Sequence, residues 1–452
     1  MSTVVKKLKF YVPAEEIFKM FYQEPMAVFL DSSLQNSLGK YSIIGICPFL
    51  IIEERRQCLY VNGEKSAETL EEFMTKYLYK NREENRTTLP IISGAIGYFS
   101  YEYGRKAEAI PSRHIPDFFI PEALFCFYQH FIIEDLEEKV IYISTREKEG
   151  KEKKEVEQLE KRIKRASFEK GVANPSNSVK SEVKSDFTKK QYKEAVNKMK
   201  DYIIEGDIYI ANMTRRLLVK STKPPYEVFQ SLRLDSPAPF GGYANYVNFQ
   251  VICSSPERFI KIEKGKVETR PIKGTRRRGE TPEEDERLKR ELLESDKDKS
   301  ELLMIVDLER NDLNRVCQPG SVKVTEHFKI EEYATVFHLV STVVGELKEE
   351  CSHLDLLQAA LPGGSITGAP KIRAMEIIDE LEKSERGLYT GCMGYFSLDG
   401  CCDFNIVIRT ALHQDGLYLM GTGGGITCES DPEFEFEETR QKAKALINAI
   451  TK

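Results

Sequence analysis

No run of 18 consecutive apolar residues occurs in the sequence, so no segment is predicted to span a membrane. The N-terminal stretch MSTVVKKLKFYVPAEE has no apolar core long enough to serve as a signal peptide. Neither sign of charge dominates: 66 Lys and Arg stand against 72 Asp and Glu, a net charge of −6, which argues against a nucleic-acid partner. The ten cysteines, at 47, 58, 126, 253, 317, 351, 392, 401, 402 and 428, form no Cys-x-x-Cys pair. That scatter fits reduced, mostly packed thiols in a cytoplasmic protein. Histidine is scarce, and no His/Cys cluster offers a soft metal site. No internal repeat of solenoid period is present.

What is present is ordinary for a globular chain: 41% hydrophobic and 31% charged residues over 452 positions. That length predicts two subdomains or one elaborate one. Residues 1–150 alternate strand patterns with short helices; KYSIIGICPFLIIEE, ISGAIGYFSYEYG and EKVIYISTRE are the clearest strand-rich pieces. Residues 151–187 open as a charged surface helix and continue as a Ser/Asn/Pro/Lys linker, which marks a domain boundary. From 188 to 450, an amphipathic helix ending at Gly206 leads into strands through GDIYIANMTRRLLVK, GGYANYVNFQVICSS and RFIKIEKGKVETR.

Two predicted helices carry acidic residues at matching spacing. Asp298 and Glu301 share one face of DKDKSELLMIVDLERNDL, and Glu435, Glu438 and Lys442 share one face of SDPEFEFEETRQKAKAL. Asp431 and Pro432 suit the cap and first position of the second helix, whose other face carries Phe436, Ala443 and Leu446. Facing carboxylates would make a hard-oxygen site for Mg²⁺, while spacing alone fits solvated helix charge equally well. LPGGSITGAPK (361–371) places Lys371 in a first helical turn, where the dipole disfavours a cation unless an anion is near. GTGGG (421–425) is read as a loop offering bare N–H groups to an oxyanion; neither stretch matches a nucleotide motif. DFNIVIRTALHQDGLYL reads as a hairpin with Arg409 in mid-strand, where the charge needs a partner. A small dianionic substrate would satisfy Arg409, Lys442 and the glycines together.

Lys273, in PIKGTRRRG, is bracketed by Pro271 and Gly274 and followed by three arginines. Taken alone, these residues favour a solvated basic loop. With some burial, the like charges would depress the lysine's pKa and leave a nucleophilic amine. TGCMG (390–394) is similar to the turn around an amidotransferase cysteine, but Thr390 stands where the first glycine belongs, so Cys392 is not expected to be a nucleophile.

PIKGT, DLERNDLNRV, VFHLVSTVVGEL, PGGSITGAPK, GYFSLDG, DFNIVIRT and GTGGGI…SDPEFEFEET occur in the order found in chorismate-utilising enzymes. The chain resembles that family strongly over 185–450 and weakly over 1–150. The resemblance implies an α+β fold, with antiparallel β-sheets packed as a sandwich flanked by helices. It implies chorismate, a dicarboxylate, as substrate and Mg²⁺ as cofactor. Glu301 and Glu438 would be the metal ligands, with Asp298 (where the family usually has Glu) and Glu435 holding its waters. Lys442 and Gly423, Gly424 and Gly425 would receive the ring carboxylate, Arg409 and Tyr389 the enolpyruvyl carboxylate, and Thr275 and His338 would line the ring. Glu257, in SSPERF, would be the general acid for the departing hydroxyl. Alanine is usual at position 273 in anthranilate, isochorismate and salicylate synthases. Lysine is typical of aminodeoxychorismate synthase component I, where it is understood to attack the ring covalently before ammonia enters. A glutamine amidotransferase subunit would supply that ammonia. Ile210 stands where water-using relatives have lysine and ammonia-using ones usually have glutamine, a departure from both. FLDSS (29–33) stands where anthranilate synthases carry a tryptophan-sensing LLES motif. Anthranilate synthase component I and a non-catalytic chorismate-binding subunit are the competing expectations.

Overall fold

The computed structural model describes residues 2–116, 118–147, 150–166, 181–333 and 336–452. It has the expected α+β class, with antiparallel strands joined through one hydrogen-bonded network. Strands from the first 150 residues pair directly with later ones. Val28–Asp31 lies against Phe240–Tyr246, with Phe29 opposite Tyr243. Gly94–Phe99 lies against Cys392–Ser397, with Ile96 opposite Tyr395.

One apolar core is drawn mainly from strands, among them Ile43, Tyr98, Tyr128, Tyr246, Phe249 and Leu412. Tyr98 meets Tyr246 and Phe249 edge-on at 5.6 and 6.2 Å, geometry that contributes about 0.5–1.5 kcal/mol per pair beyond area burial. Helices cover the outer faces. Pro225–Asp235 and Pro432–Thr451 close one core, through Phe229, Leu232, Ala443 and Leu446. Asp296–Val316 and His353–Ala360 close another, through Leu302, Val306 and Leu357. Among the described residues no helix is long and apolar enough to cross a membrane.

Local chemistry sets the boundaries. Thr188 caps Lys189–Ile204 with a full capping box. The Arg258–Glu263 and Lys266–Thr269 strands form a hairpin whose turn residues, Lys264 and Gly265, both have positive φ, as a tight two-residue turn requires. In the 151–187 segment, Glu152–Ala166 is helical and buries Val156, Leu159 and Ile163, three and four residues apart. The linker expected after it falls partly outside the described residues. Its end, Ser181–Ser185, is an exposed strand on the edge of Ile210–Ser221 rather than linker.

Two expectations change. GTGGG is not a loop: Leu417–Ile426 is one strand, paired with Ile210–Ser221 along its whole length through Ile426. The stretch around Arg409 is not one hairpin. Cys402–Ile406 pairs with Cys392–Ser397, while Thr410–Gln414 pairs with Leu417–Ile426 through a turn at Asp415 and Gly416. Arg409 lies in the break between those strands, in the left-handed conformation at φ 48°.

Candidate active site

Every residue expected at the site lines one cavity of about 720 Å³. Two helices enter it by their N-terminal halves. Ser295 caps Asp296–Val316 by accepting from the Asp298 N–H, and Asp431 caps Pro432–Thr451 by accepting from the Phe434 N–H, with Pro432 in the first turn. Both N-termini therefore favour carboxylates. Glu301 and Glu438 face the cavity from the two helices. Burial pushes the Glu301 carboxyl up, Lys273 and Lys297 pull it down, and Asp298 and Glu438 push it up again. Burial likewise raises Glu435, against a hydrogen bond from Ser430. Asp298 accepts from Arg276 at 2.9 Å, and Lys442 stands 3.4 Å from Glu438.

Oxygen donors alone converge here, which suits a hard divalent cation. Among the described residues no three carboxylates are drawn together closely enough to chelate an ion in the arrangement present. The room between them is set by Gly424: a Cβ there would lie 2.8 Å from Glu438 Oε2 and 3.2 Å from Glu435 Oε2. The glycine strand explains how one cavity holds two chemistries. Thr410–Gln414 pairs with it only as far as Met420, so among the described residues 421–426 has no strand partner on that edge. Successive residues of a strand point to opposite faces. Gly424 opens toward the acidic helices and Lys442, while Gly425 opens toward Lys273, whose Nζ would lie 3.7 Å from a Cβ there. Lys442 donates to the Gly423 carbonyl at 2.9 Å.

Lys273 sits on the Ile272–Arg277 strand beside a bulge at Gly274, whose φ is +75°. The bulge moves Thr275 opposite His338, and Thr275 Oγ1 meets His338 Nδ1 at 2.9 Å. The Lys273 amine is depressed, as expected, but chiefly by burial. Glu301 and Glu257 oppose that effect, Lys442 adds to it, and Glu438 opposes it. The three arginines are not the cause, because each is paired with an acidic residue. Arg276 bonds Asp298 and Glu291, Arg277 bonds Glu284, and Arg278 bonds Asp285. Glu257 is raised by burial, and Lys273, a Ser365 hydrogen bond, the Ile272 backbone and Lys442 restrain the rise. Lys273 Nζ donates to the Ser365 carbonyl at 2.9 Å.

His338 is held neutral: burial, then the Arg409 charge, drop its pKa to about 3. It can hydrogen-bond a ring substituent but cannot act as an acid near neutrality. Arg409 is pulled below its ordinary value by burial, and its side chain makes no ion pair or hydrogen bond among the described residues. A left-handed conformation at a non-glycine residue costs energy and persists where its surroundings impose it. A buried guanidinium with no partner among the described residues is chemically suited to receive an anion. Tyr389 packs on the glycine strand, where a Cβ on Gly421 would lie 2.1 Å from its ring.

Lys371 needs no substrate anion: its Nζ donates to Asp312 at 2.6 Å and to the Ala360 carbonyl at 3.1 Å, both inside the protein. Cys392 is fully buried, and burial holds its thiol far above the ordinary range, so it is no nucleophile. Among the cavity residues that sequence reading missed are Ser365 and Asn212. Ser365 lay inside a quoted motif whose interest centred on Lys371. Asn212 is one of several polar residues on the Ile210–Ser221 strand, so nothing in the local pattern set it apart.

A family model for chorismate binding enzymes matches residues 29–448. The chain is 36% identical over 422 residues to aminodeoxychorismate synthase component 1 of Bacillus subtilis (strain 168), covering 91% of this chain and 89% of that protein. It is 37% identical over 455 residues to anthranilate synthase component 1 of Acetivibrio thermocellus, covering 96% and 92%. The crystal structure of anthranilate synthase component I from Streptococcus pneumoniae TIGR4 matches at a TM-score of 0.80 and 27% identity, covering 98% of this chain and 99% of that one. The menaquinone-specific isochorismate synthase of Escherichia coli matches at a TM-score of 0.75 and 15% identity over 100% and 94%, a likeness of fold alone. With a family model spanning most of its length, and relatives this similar over nearly all of it, the chain belongs to the chorismate binding enzymes.

Proposed function

We propose that this enzyme is an aminodeoxychorismate synthase component I, converting chorismate and ammonia to 4-amino-4-deoxychorismate for para-aminobenzoate and folate synthesis in the cytoplasm. The observation that carries the reading is Lys273: a buried, depressed amine inside the cavity, with a raised carboxyl, Glu257, linked to it through Ser365. Chorismate offers two carboxylates, and the cavity offers two cationic ends. Arg409 and Tyr389 would grip the enolpyruvyl carboxylate. Lys442 and the glycine strand would receive the ring carboxylate. Thr275 and the neutral His338 would border the ring.

The Lys273 amine would then bond to ring C2 as the C4–O bond breaks, with the intervening double bonds shifting. Glu257 gives the departing hydroxyl its proton, so water leaves. Ammonia bonds to C4, the double bonds shift back, and the C2–N bond breaks to return the amine of Lys273. Atoms balance as chorismate plus ammonia giving aminodeoxychorismate plus water. Glu301 and Glu438 would hold Mg²⁺, with Asp298 and Glu435 on its waters. When bound, the ion would supply positive charge beside the ring carboxylate.

Cys392, the one candidate glutaminase nucleophile weighed, is fully buried, and a separate glutamine amidotransferase subunit is the proposed ammonia source. Anthranilate synthase component I is the second reading, favoured by relatives of that name at equal identity. Product analysis decides between them. Purified protein with chorismate, Mg²⁺ and an ammonium salt at alkaline pH should release aminodeoxychorismate, and with glutamine alone it should release nothing. Anthranilate as the product would establish the second reading. Binding of chorismate without turnover would leave a non-catalytic subunit.

A further inference from the structure

Asn212 has no use in the chemistry above, yet it is a cavity residue whose backbone is held on both sides. It lies on the Ile210–Ser221 strand, opposite Gly425. Directly opposed residues of an antiparallel pair project to the same face, so Asn212 shares the face on which Gly425 opens toward Lys273. Its backbone is fixed on both sides, the N–H donating to Thr367 and the carbonyl accepting from Arg386, each at 2.7 Å. The residue lines the cavity and is only 9% exposed, and its Oδ1 is buried with no hydrogen-bond partner among the described residues.

A buried acceptor without a donor is costly, and a pinned one is preorganised for a ligand that brings the donor. Two residues along, the same face carries Ile210, whose Cδ1 would lie 3.3 Å from a Cβ on Gly425. That side chain can exclude water but bond nothing. The acceptor therefore shares a strand face with apolar Ile210 and with Thr214, whose hydroxyl is taken by Glu382 at 2.8 Å, and it lies opposite the glycine that opens toward Lys273.

Chorismate's carboxylates carry no N–H or O–H and are matched by the cations at the cavity ends. Glu257, as acid, donates to the oxygen of the C4 hydroxyl, which leaves that hydroxyl's own hydrogen and ammonia as donors without an assigned acceptor. Only ammonia enters after the hydroxyl has left, when the amine must be aimed at C4. Ring C2 and C4 are separated by a single carbon, so a group beside the Lys273 amine is within reach of both. We propose that Asn212 is the amine-positioning residue: its side-chain oxygen accepts a hydrogen bond from incoming ammonia and orients the nitrogen lone pair toward C4. The inference rests on the aminodeoxychorismate synthase reading and adds to it the residue that selects a small N–H donor.

Steady-state kinetics with ammonium chloride at alkaline pH test it, in wild type and in Asn212→Leu, which keeps the shape and removes the acceptor. The Michaelis constant for ammonia should rise roughly tenfold or more, as the loss of one hydrogen bond to a small ligand implies. The Michaelis constant for chorismate should stay within about twofold, and chorismate binding in the absence of ammonia should be unchanged. Asn212→Ala, which demands no space, repeats the comparison if leucine unfolds the chain. An unchanged ammonia constant, or an equal rise for chorismate, would overturn the inference while leaving the proposed function standing. A wild type that used ammonia but released anthranilate would sink the aminodeoxychorismate reading and, with it, the placement of ammonia at C4. A wild type inert toward ammonia would sink both.

Discussion

Lys273 and Glu257 are tied to each other through Ser365, whose carbonyl oxygen accepts from the lysine at 2.9 Å and whose side chain hydrogen-bonds the glutamate carboxylate. A nucleophile and a general acid must work as neutral amine and neutral carboxyl, a combination that water disfavours because a free lysine and a free glutamate titrate far apart. Burial moves both groups in the useful direction, the carboxyl up and the amine down. Their mutual attraction works the other way, which is why the desolvation of this cavity matters more than the charge of its rim.

Ser365→Ala follows from that link. The carbonyl stays and Lys273 keeps its partner, but Glu257 loses a bond that lowers its pKa. The carboxyl should therefore titrate higher, and the alkaline limb of the chorismate-consumption profile, which reports loss of the protonated acid, should move to higher pH. The maximal rate should fall about tenfold through lost positioning. A rate loss with an unmoved limb would mean that Ser365 supports structure only.

Glu301→Gln and Glu438→Gln keep side-chain shape and remove charge. If these residues hold Mg²⁺, each change should lower turnover at least a hundredfold, and calorimetric Mg²⁺ binding should weaken in parallel. Melting temperature in the absence of metal should stay within a few degrees of wild type. Full turnover in excess EDTA, or a wild-type rate in either variant, would remove the proposed metal site.

Much of this site was legible in the sequence because its parts are local. Asp431–Pro432 announces a helix start, and the spacing of Glu435, Glu438 and Lys442 fixes one face whatever the rest of the chain does. What stayed hidden depends on distant contacts. Glycines are poor strand formers, so GTGGG read as a loop. Its strand conformation comes from pairing with Ile210–Ser221, and its missing Cβ atoms make room for Glu438 and Tyr389. The arginines after Lys273 looked like the cause of its depressed pKa until their acidic partners on the helix Pro282–Glu294 and the segment after it were in view. Lys371 was read toward a ligand because Asp312, its partner, lies 59 residues away in sequence.

His338 predicts an acid-sensitive fold. Its imidazole titrates near 3 in the folded chain against an ordinary 6.5, so between those values the unfolded chain binds a proton that the folded one refuses. Stability should rise with pH across that window and be lost as pH falls through it. His130, dropped to about 4 by burial, adds to the same trend. Chemical denaturation of His338→Gln should show a smaller loss between pH 6.5 and 4.5 than wild type. Parallel curves for the two proteins would contradict a neutral, buried His338.

The decisive test concerns Lys273 as nucleophile. Incubation with chorismate and Mg²⁺, without ammonia, should trap a covalent adduct. Intact mass should rise by chorismate minus water, and peptide mapping should place the gain within PIKGT. Lys273→Ala should lose the adduct and most of the synthase rate, while chorismate binding persists through Arg409 and Lys442. Glu257→Gln separates the two roles. Glu257 pushes the lysine's pKa up, so its neutralisation frees more amine, yet the adduct should still vanish because the C4 hydroxyl has no acid to leave with. Adduct formation should rise with pH through a midpoint below the ordinary 10.5 of lysine. Lys442→Gln, which removes a charge that depresses the amine, should move that midpoint up. Arg277→Gln should leave it in place, since Arg277 is paired with Glu284 and does not act on Lys273. An adduct that survives Lys273→Ala would move the nucleophile elsewhere. A wild-type synthase rate in that variant would favour direct addition of ammonia to the ring and return Lys273 to a structural role.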